Sequence, residues 1–232
     1  LRNCRPRFSR APPNPRKSLD CTFDTNQVLA LKDFLGDDPI LIQITATLQN
    51  ISLEMDENSS HTLDRGSICR SIYDIEYELN QLNGVSSIAV NPGQPLSFEA
   101  EPVKIALHIY LYLMIRDIPK SSPLFHKLVE RLLAALKVQN YHSNEKSRYS
   151  YIWRLWMLLI GFGAASKKSV ADWFVYNTWL TCREMDITSS AEFGYVLRSV
   201  LWRGRRCEEL KDRLWLELIS IDELGTSPVE EC

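Results

Sequence analysis

With 232 residues, 45% of them hydrophobic, the chain has material for one large core and is short for two independent domains. A formal net charge of −2 gives no general reason for a nucleic-acid or anionic-membrane partner. The six cysteines (Cys4, Cys21, Cys69, Cys182, Cys207 and Cys232) are scattered, with no CxxC pair and no histidine at ligand spacing. That pattern argues against a metal site and a small disulfide framework, and for reduced thiols.

Residues 1–23 read as a basic, Pro-rich arm. Arg2, Arg5, Arg7, Arg10, Arg16 and Lys17 are interleaved with Pro6, Pro12, Pro13 and Pro15, and no acidic residue precedes Asp20. Prolines at this density block a helix and favour an extended, disordered segment. Such an arm suits a nuclear-import signal or a nucleic-acid contact. The plainer reading is a disordered linker kept soluble by its charge. No apolar run follows it, so no secretory signal is expected. The longest uncharged apolar run, Leu155 to Ser166, is too short to span a bilayer. An intracellular, soluble chain with no membrane partner is expected. A start at Leu1 rather than methionine fits a piece of something longer.

Residues 24–222 carry helical periodicity almost throughout. Asp24 to Phe34 predicts a short amphipathic helix stopped by Gly36-Asp37-Asp38-Pro39, with Pro39 suited to the first turn of the next. Ile40 to Leu53 follows, and Met55 to Gly66 reads as a polar loop. Ile68, Ile72, Ile75, Leu79 and Leu82 recur at steps of three and four, a clear amphipathic helix ended by Asn83-Gly84. Val85 to Ser97, with Pro92-Gly93 and Pro95, is a connection. Ser97 and Glu101 frame the start of an apolar helix running from Val103 to Pro119.

Ser121-Ser122-Pro123 leads into an amphipathic helix from Leu124 to Leu136, and Tyr141 to Lys146 is a polar loop. Ile152 to Ala165 is a second helix apolar on every side. Helices over Ser169–Met185, Ser189–Trp202 and Glu208–Ile219 complete the set, with Gly204 as an interruption and residues 223–232 as a polar tail. The expected fold is all-α: one compact domain of about eight or nine helices, centred on the two apolar helices. Its core should include Ile105, Ile109, Leu113, Leu155, Trp156, Leu159 and Trp173.

Candidate chemistry is thin. Asp37-Asp38 invites comparison with magnesium-binding acidic pairs, but no third aspartate stands at helical spacing, and helix capping explains the pair better. His108 lies in the most apolar helix with Glu101 seven positions earlier. A catalytic base there would need an orienting carboxylate and a cavity, and a buried neutral histidine is the simpler reading. Gly161 and Gly163, with Ala164 and Ala165, form a small-residue face for close helix packing. No glycine loop of a nucleotide or hydrolase motif occurs. Trp153, Trp156, Trp173, Trp179, Trp202 and Trp215 could line a pocket, and read more simply as core. Arg203, Arg205 and Arg206 form a small basic patch at a helix boundary. No catalytic or metal-ligating residue is nominated, and cofactor-binding residues are unassigned.

The run from Ala106 to Leu136, with Tyr110-Leu111, Arg116, Ile118-Pro119, Ser122-Pro123-Leu124 and Leu128-Val129, resembles the second family of fungal-specific transcription factor domains. Trp156 to Gly161 followed by Ala164-Ala165 is similar to that family's apolar-glycine-alanine signature. Trp173-Phe174, Trp202 and Trp215 resemble its later aromatic positions. The resemblance covers roughly Ile40 to Ile219. It implies an all-α, non-catalytic regulatory domain, located in the nucleus and acting on RNA polymerase II transcription downstream of a Zn(II)2Cys6 cluster. The six close cysteines of that cluster do not occur here. Zinc, and contact with promoter DNA, would therefore belong to a module outside these residues. Protein partners of the transcription machinery are implied, with a small-molecule effector and a homodimer as further expectations. The alternatives are a free-standing helical interaction domain without DNA binding and an all-α enzyme built around His108.

Overall fold

A computed structural model describes residues 38–57, 65–85, 100–142 and 148–224. The expected helix at Asp24–Phe34, the arm, the connection at 86–99 and the end of the tail lie outside them. Eight α-helices occur among the described residues, with no strand. They are α1 (Pro39–Glu57), α2 (Arg65–Val85), α3 (Ala100–Tyr110), α4 (Pro123–His142), α5 (Arg148–Ala164), α6 (Lys168–Glu184), α7 (Ser190–Leu197) and α8 (Gly204–Leu224). Between α3 and α4 the backbone runs on as a π turn, Leu111–Ile115. The all-α expectation holds.

The apolar helices sit at the centre as their composition requires. Pro102 to Tyr110 are all buried in α3, and Trp153 to Ala164 are all buried in α5. α5 packs along α6 and across α3; α4 covers α3; α8 lies over α5, α6 and α7 and reaches α1. Helix α2 packs on α1 and α3 at one edge. The small-residue face of α5 works as expected. A Cβ on Gly161 would stand 2.3 Å from the Phe174 ring, and one on Gly163 would stand 2.6 Å from Leu210. Neighbouring side chains rest directly on the α5 backbone.

Several expectations need correction. Met55 belongs to α1, which runs to Glu57, and Gly66 belongs to α2, which begins at Arg65; residues 58–64 of the expected loop lie outside the described residues. The apolar helix from Val103 does not continue to Pro119 in α geometry. Helix α4 runs to His142, past the start of the expected loop. Leu113 and Trp173 are only half-buried, while Ile105, Ile109, Leu155, Trp156 and Leu159 are fully in the core.

The helix expected over Ser189–Trp202 stops at Leu197, and α8 starts at Gly204 rather than Glu208. The reason is competition for backbone groups. The Leu201 carbonyl accepts the Trp156 indole N–H at 2.9 Å, and the Trp202 amide donates to Gln49 Oε1 at 3.3 Å. The Arg203 amide donates to Cys207 Sγ at 3.2 Å. Groups committed to other elements cannot serve a local helix.

Candidate polar junction

Among the described residues, polar side chains from four elements gather at the end of α3, some buried and some at the surface. α1 brings Ser52 and Asp56, α2 brings Glu76, and α8 brings Arg206 and Cys207. The turn itself brings Tyr112, Arg116 and Asp117. Serine and aspartate suit the last turns of α1 only with partners, because carboxylates oppose the dipole at a helix C-terminus. Asp56 finds them in the Gly204 amide at the N-terminus of α8 and in the nearby Arg203. Burial raises its pKa, and those two contacts pull the other way.

Three ties close the junction. In the first, Ser52 Oγ donates to the Leu48 carbonyl at 2.8 Å, so the Tyr110 hydroxyl, 2.7 Å away, must donate to Ser52. Burial holds the Tyr110 phenol well above its ordinary range. In the second, the Tyr112 hydroxyl donates to Glu76 Oε1 at 2.7 Å, and the Arg116 guanidinium takes the other carboxylate oxygen. Burial, then the Glu76 contact, raises the Tyr112 pKa. Arg116 also lies over the Tyr73 ring at 5.0 Å. In the third, Arg206 grips Asp117 through both oxygens, at 2.7 and 2.6 Å, and reaches the Leu113 carbonyl at 3.4 Å. The Arg206 hydrogen bond lowers the Asp117 pKa.

The groups singled out from sequence fall as follows. Asp38 caps α1, its Oδ1 accepting from the Ile40 and Leu41 amides at 3.1 Å each; Asp37 lies outside the described residues. His108 is buried, bonds to the Lys104 backbone, and is pushed down to about 4, chiefly by burial. It is neutral at pH 7. Glu101 does not orient it: that carboxylate accepts from Arg131 on α4 at 2.8 Å. Among the described residues no group of three or more His, Cys, Asp or Glu side chains is placed to hold a metal. Burial drives the Cys207 thiol up to about 12, which leaves it protonated and unreactive.

The tryptophans do not line one cavity. Trp153 and Trp156 meet edge to face at 5.6 Å, Trp173 meets Phe174, Trp179 stacks on Tyr176, and Trp215 tilts over Phe193. Trp202 lies under Arg198. The basic patch is divided as well: Arg205 pairs with Glu209, Arg206 with Asp117, and Arg203 faces Asp56.

Sequence reasoning missed Glu76, Tyr112, Asp117 and the partners of Arg116. Their contacts span 36 to 89 positions, beyond any local periodicity. It also missed Arg154, buried between α5 and α6 and held by the neutral oxygens of Thr181 and Asn177, each at 3.3 Å. A hollow lined by His126, Val129, Glu130, Ala164, Lys167 and Val170 has room for about one water, too little for an effector. No helix of the described residues is long and apolar enough to cross a membrane.

Residues 8–164, more than half of the chain, match the family described as fungal specific transcription factor domain. The match starts earlier than the resemblance at Ile40 and ends with α5, so Trp173-Phe174, Trp202 and Trp215 lie beyond it. No curated protein and no solved structure matches the chain. With α1 to α5 inside the match and an all-helical fold around them, the chain belongs to the fungal-specific transcription factor domain family.

Proposed function

We infer that the chain is the regulatory, non-catalytic domain of a fungal zinc-cluster transcription factor. It acts in the nucleus on RNA polymerase II transcription, through protein partners of the transcription machinery. A transcription-regulatory role follows from the family. The finer reading is supported by what the polar groups do: at the end of α3 they tie helices to one another. The observation that carries it is the family match over the helical centre. Promoter contact and zinc belong, in this reading, to a module outside these residues, and the basic arm suits the linker that follows such a module. A small effector or a second copy would bias the packing only through different affinities for two states.

An enzyme reading would need His108 accessible and oriented. It is sealed in α3, with its nearest expected carboxylate committed to Arg131. Translating the coding sequence upstream of Leu1 in the same frame tests the proposal. Six closely spaced cysteines and a basic linker are expected there. A start codon next to Leu1 would contradict the zinc-cluster reading and favour a free-standing interaction domain.

A further inference from the structure

The turn that ends α3 is wider than an α-helical turn. The Arg116 amide donates to the Leu111 carbonyl at 2.9 Å, five residues back, and the Ile118 amide donates to the Tyr112 carbonyl at 2.9 Å, six back. Such a turn carries one residue more than α geometry takes, and turns of this kind gather at functional positions. The displaced residue can be named. From Pro102 to Ile115 every residue is buried except Leu113.

A wide turn at the end of a buried, apolar helix has to be held by its neighbours, and two of them hold it. Glu76 of α2 takes the Tyr112 hydroxyl and the Arg116 guanidinium. Arg206 of α8 takes the Leu113 carbonyl and the Asp117 carboxylate. Asp117 itself stands at φ 55, a left-handed conformation that an L residue adopts at a cost.

We propose that Leu111–Ile115 is a two-register switch coupling α2 to α8. In the wide register both ties are made. Closing the turn to α geometry would rotate Arg116 and Asp117 by about 100° and shift them by about 1.5 Å along the axis. The Arg116 half of the Glu76 tie and the Arg206 grip on Asp117 then break in one step. The link from Arg116 to Ser122 absorbs the change before α4 begins at Pro123. Anything that draws α8 away from Asp117 therefore weakens the grip of α2, and the reverse. A regulator gains a moving part with two discrete packings, which a partner on either helix can bias.

Amide hydrogen exchange on the whole 232-residue chain tests this. Glu76→Gln should speed exchange at Cys207 and Leu210 in α8, and Arg206→Gln should do so at Leu79 and Asn80 in α2, each about fivefold or more. Effects confined to the helix that carries the substitution would overturn the coupling. Deleting Leu113 removes the extra residue. That variant should fold, with an unfolding midpoint close to that of the parent, because a shorter α turn leaves Arg116 and Asp117 where the wide turn puts them. With the second register gone, Glu76→Gln in that background should no longer speed exchange in α8. Deleting Ala106, in the regular part of α3, should unfold the chain. A Leu113 deletion as damaging as the Ala106 deletion would overturn the second register. Exchange reads the turn itself, so it can fail while a transcriptional readout responds, and the reverse.

Discussion

From Trp153 to Ala164 every residue of α5 is buried, and its neighbours are held by shape: the Phe174 ring on Gly161, Leu210 on Gly163. The end of α3, whose turn closes at Ile115, 38 positions before Trp153, is held instead by charge and hydroxyl groups drawn from α1, α2 and α8. The two regions teach different things. Shape-held contacts give most of the stability and have one good packing, because interiors are close-packed. Polar ties of half-exposed groups add little stability each, and they specify which of several packings is adopted.

Substitutions in the first region should therefore cost more than those in the second. Leu159→Ala, at a fully buried position of α5, should lower unfolding free energy by about 2–5 kcal/mol in denaturant titration. A loss under about 1 kcal/mol would mean the site collapses without a cavity. Next comes His108. Its pKa is 6.5 when exposed and about 4 when folded, so the unfolded state takes up its proton first as pH falls. Stability from this group is complete above pH 6.5, declines below it, and is gone once the pH passes about 4. The loss is roughly 3 kcal/mol. His108→Gln should remove that part of the pH dependence, and an unchanged slope between those pH values would contradict the buried neutral state.

Gly161→Ala presses a methyl into the Phe174 ring and should cost about 1–3 kcal/mol, read as a lower unfolding midpoint. Glu76→Gln removes the charge from a tie whose two side chains are 27% and 24% exposed, so about 1 kcal/mol or less is expected. A loss as large as that of Leu159→Ala would erase the distinction between the regions. The smallest effect has the opposite sign. Asp186 ends α6 at φ 56, where the Ile187 amide returns to the Cys182 carbonyl at 2.9 Å. Asp186→Gly should stabilise the chain by up to about 1 kcal/mol, since glycine adopts that conformation freely.

The same contrast explains what could be read from the sequence. The centre was legible because α3 and α5 are apolar on every side, a property that needs no knowledge of partners. Gly161 and Gly163 were legible as a packing face for the same reason. Leu113 was misplaced because periodicity assumes α geometry, and in the wide turn it packs against Gly163 at the edge of the core rather than within it. The break at Leu197 was hidden because the Trp202 amide, which a helix reaching that position would turn back on the Arg198 carbonyl, donates instead to Gln49, 153 positions away. The junction was illegible in kind: Glu76, Arg116, Asp117 and Arg206 each look like ordinary surface charge until the helices are assembled. Arg206 was noticed as part of a basic patch, yet its partner lies 89 positions away.

The regulatory account is tested most directly by tethering. The whole chain is fused to an unrelated DNA-binding module and expressed in a fungal cell carrying a reporter gene under that module's site. A several-fold change in reporter output, up or down, relative to the module alone is predicted, with Leu159→Ala abolishing it by unfolding the domain. Output equal to that of the module alone, from a fusion shown to be folded and nuclear, would contradict a transcriptional role for this chain.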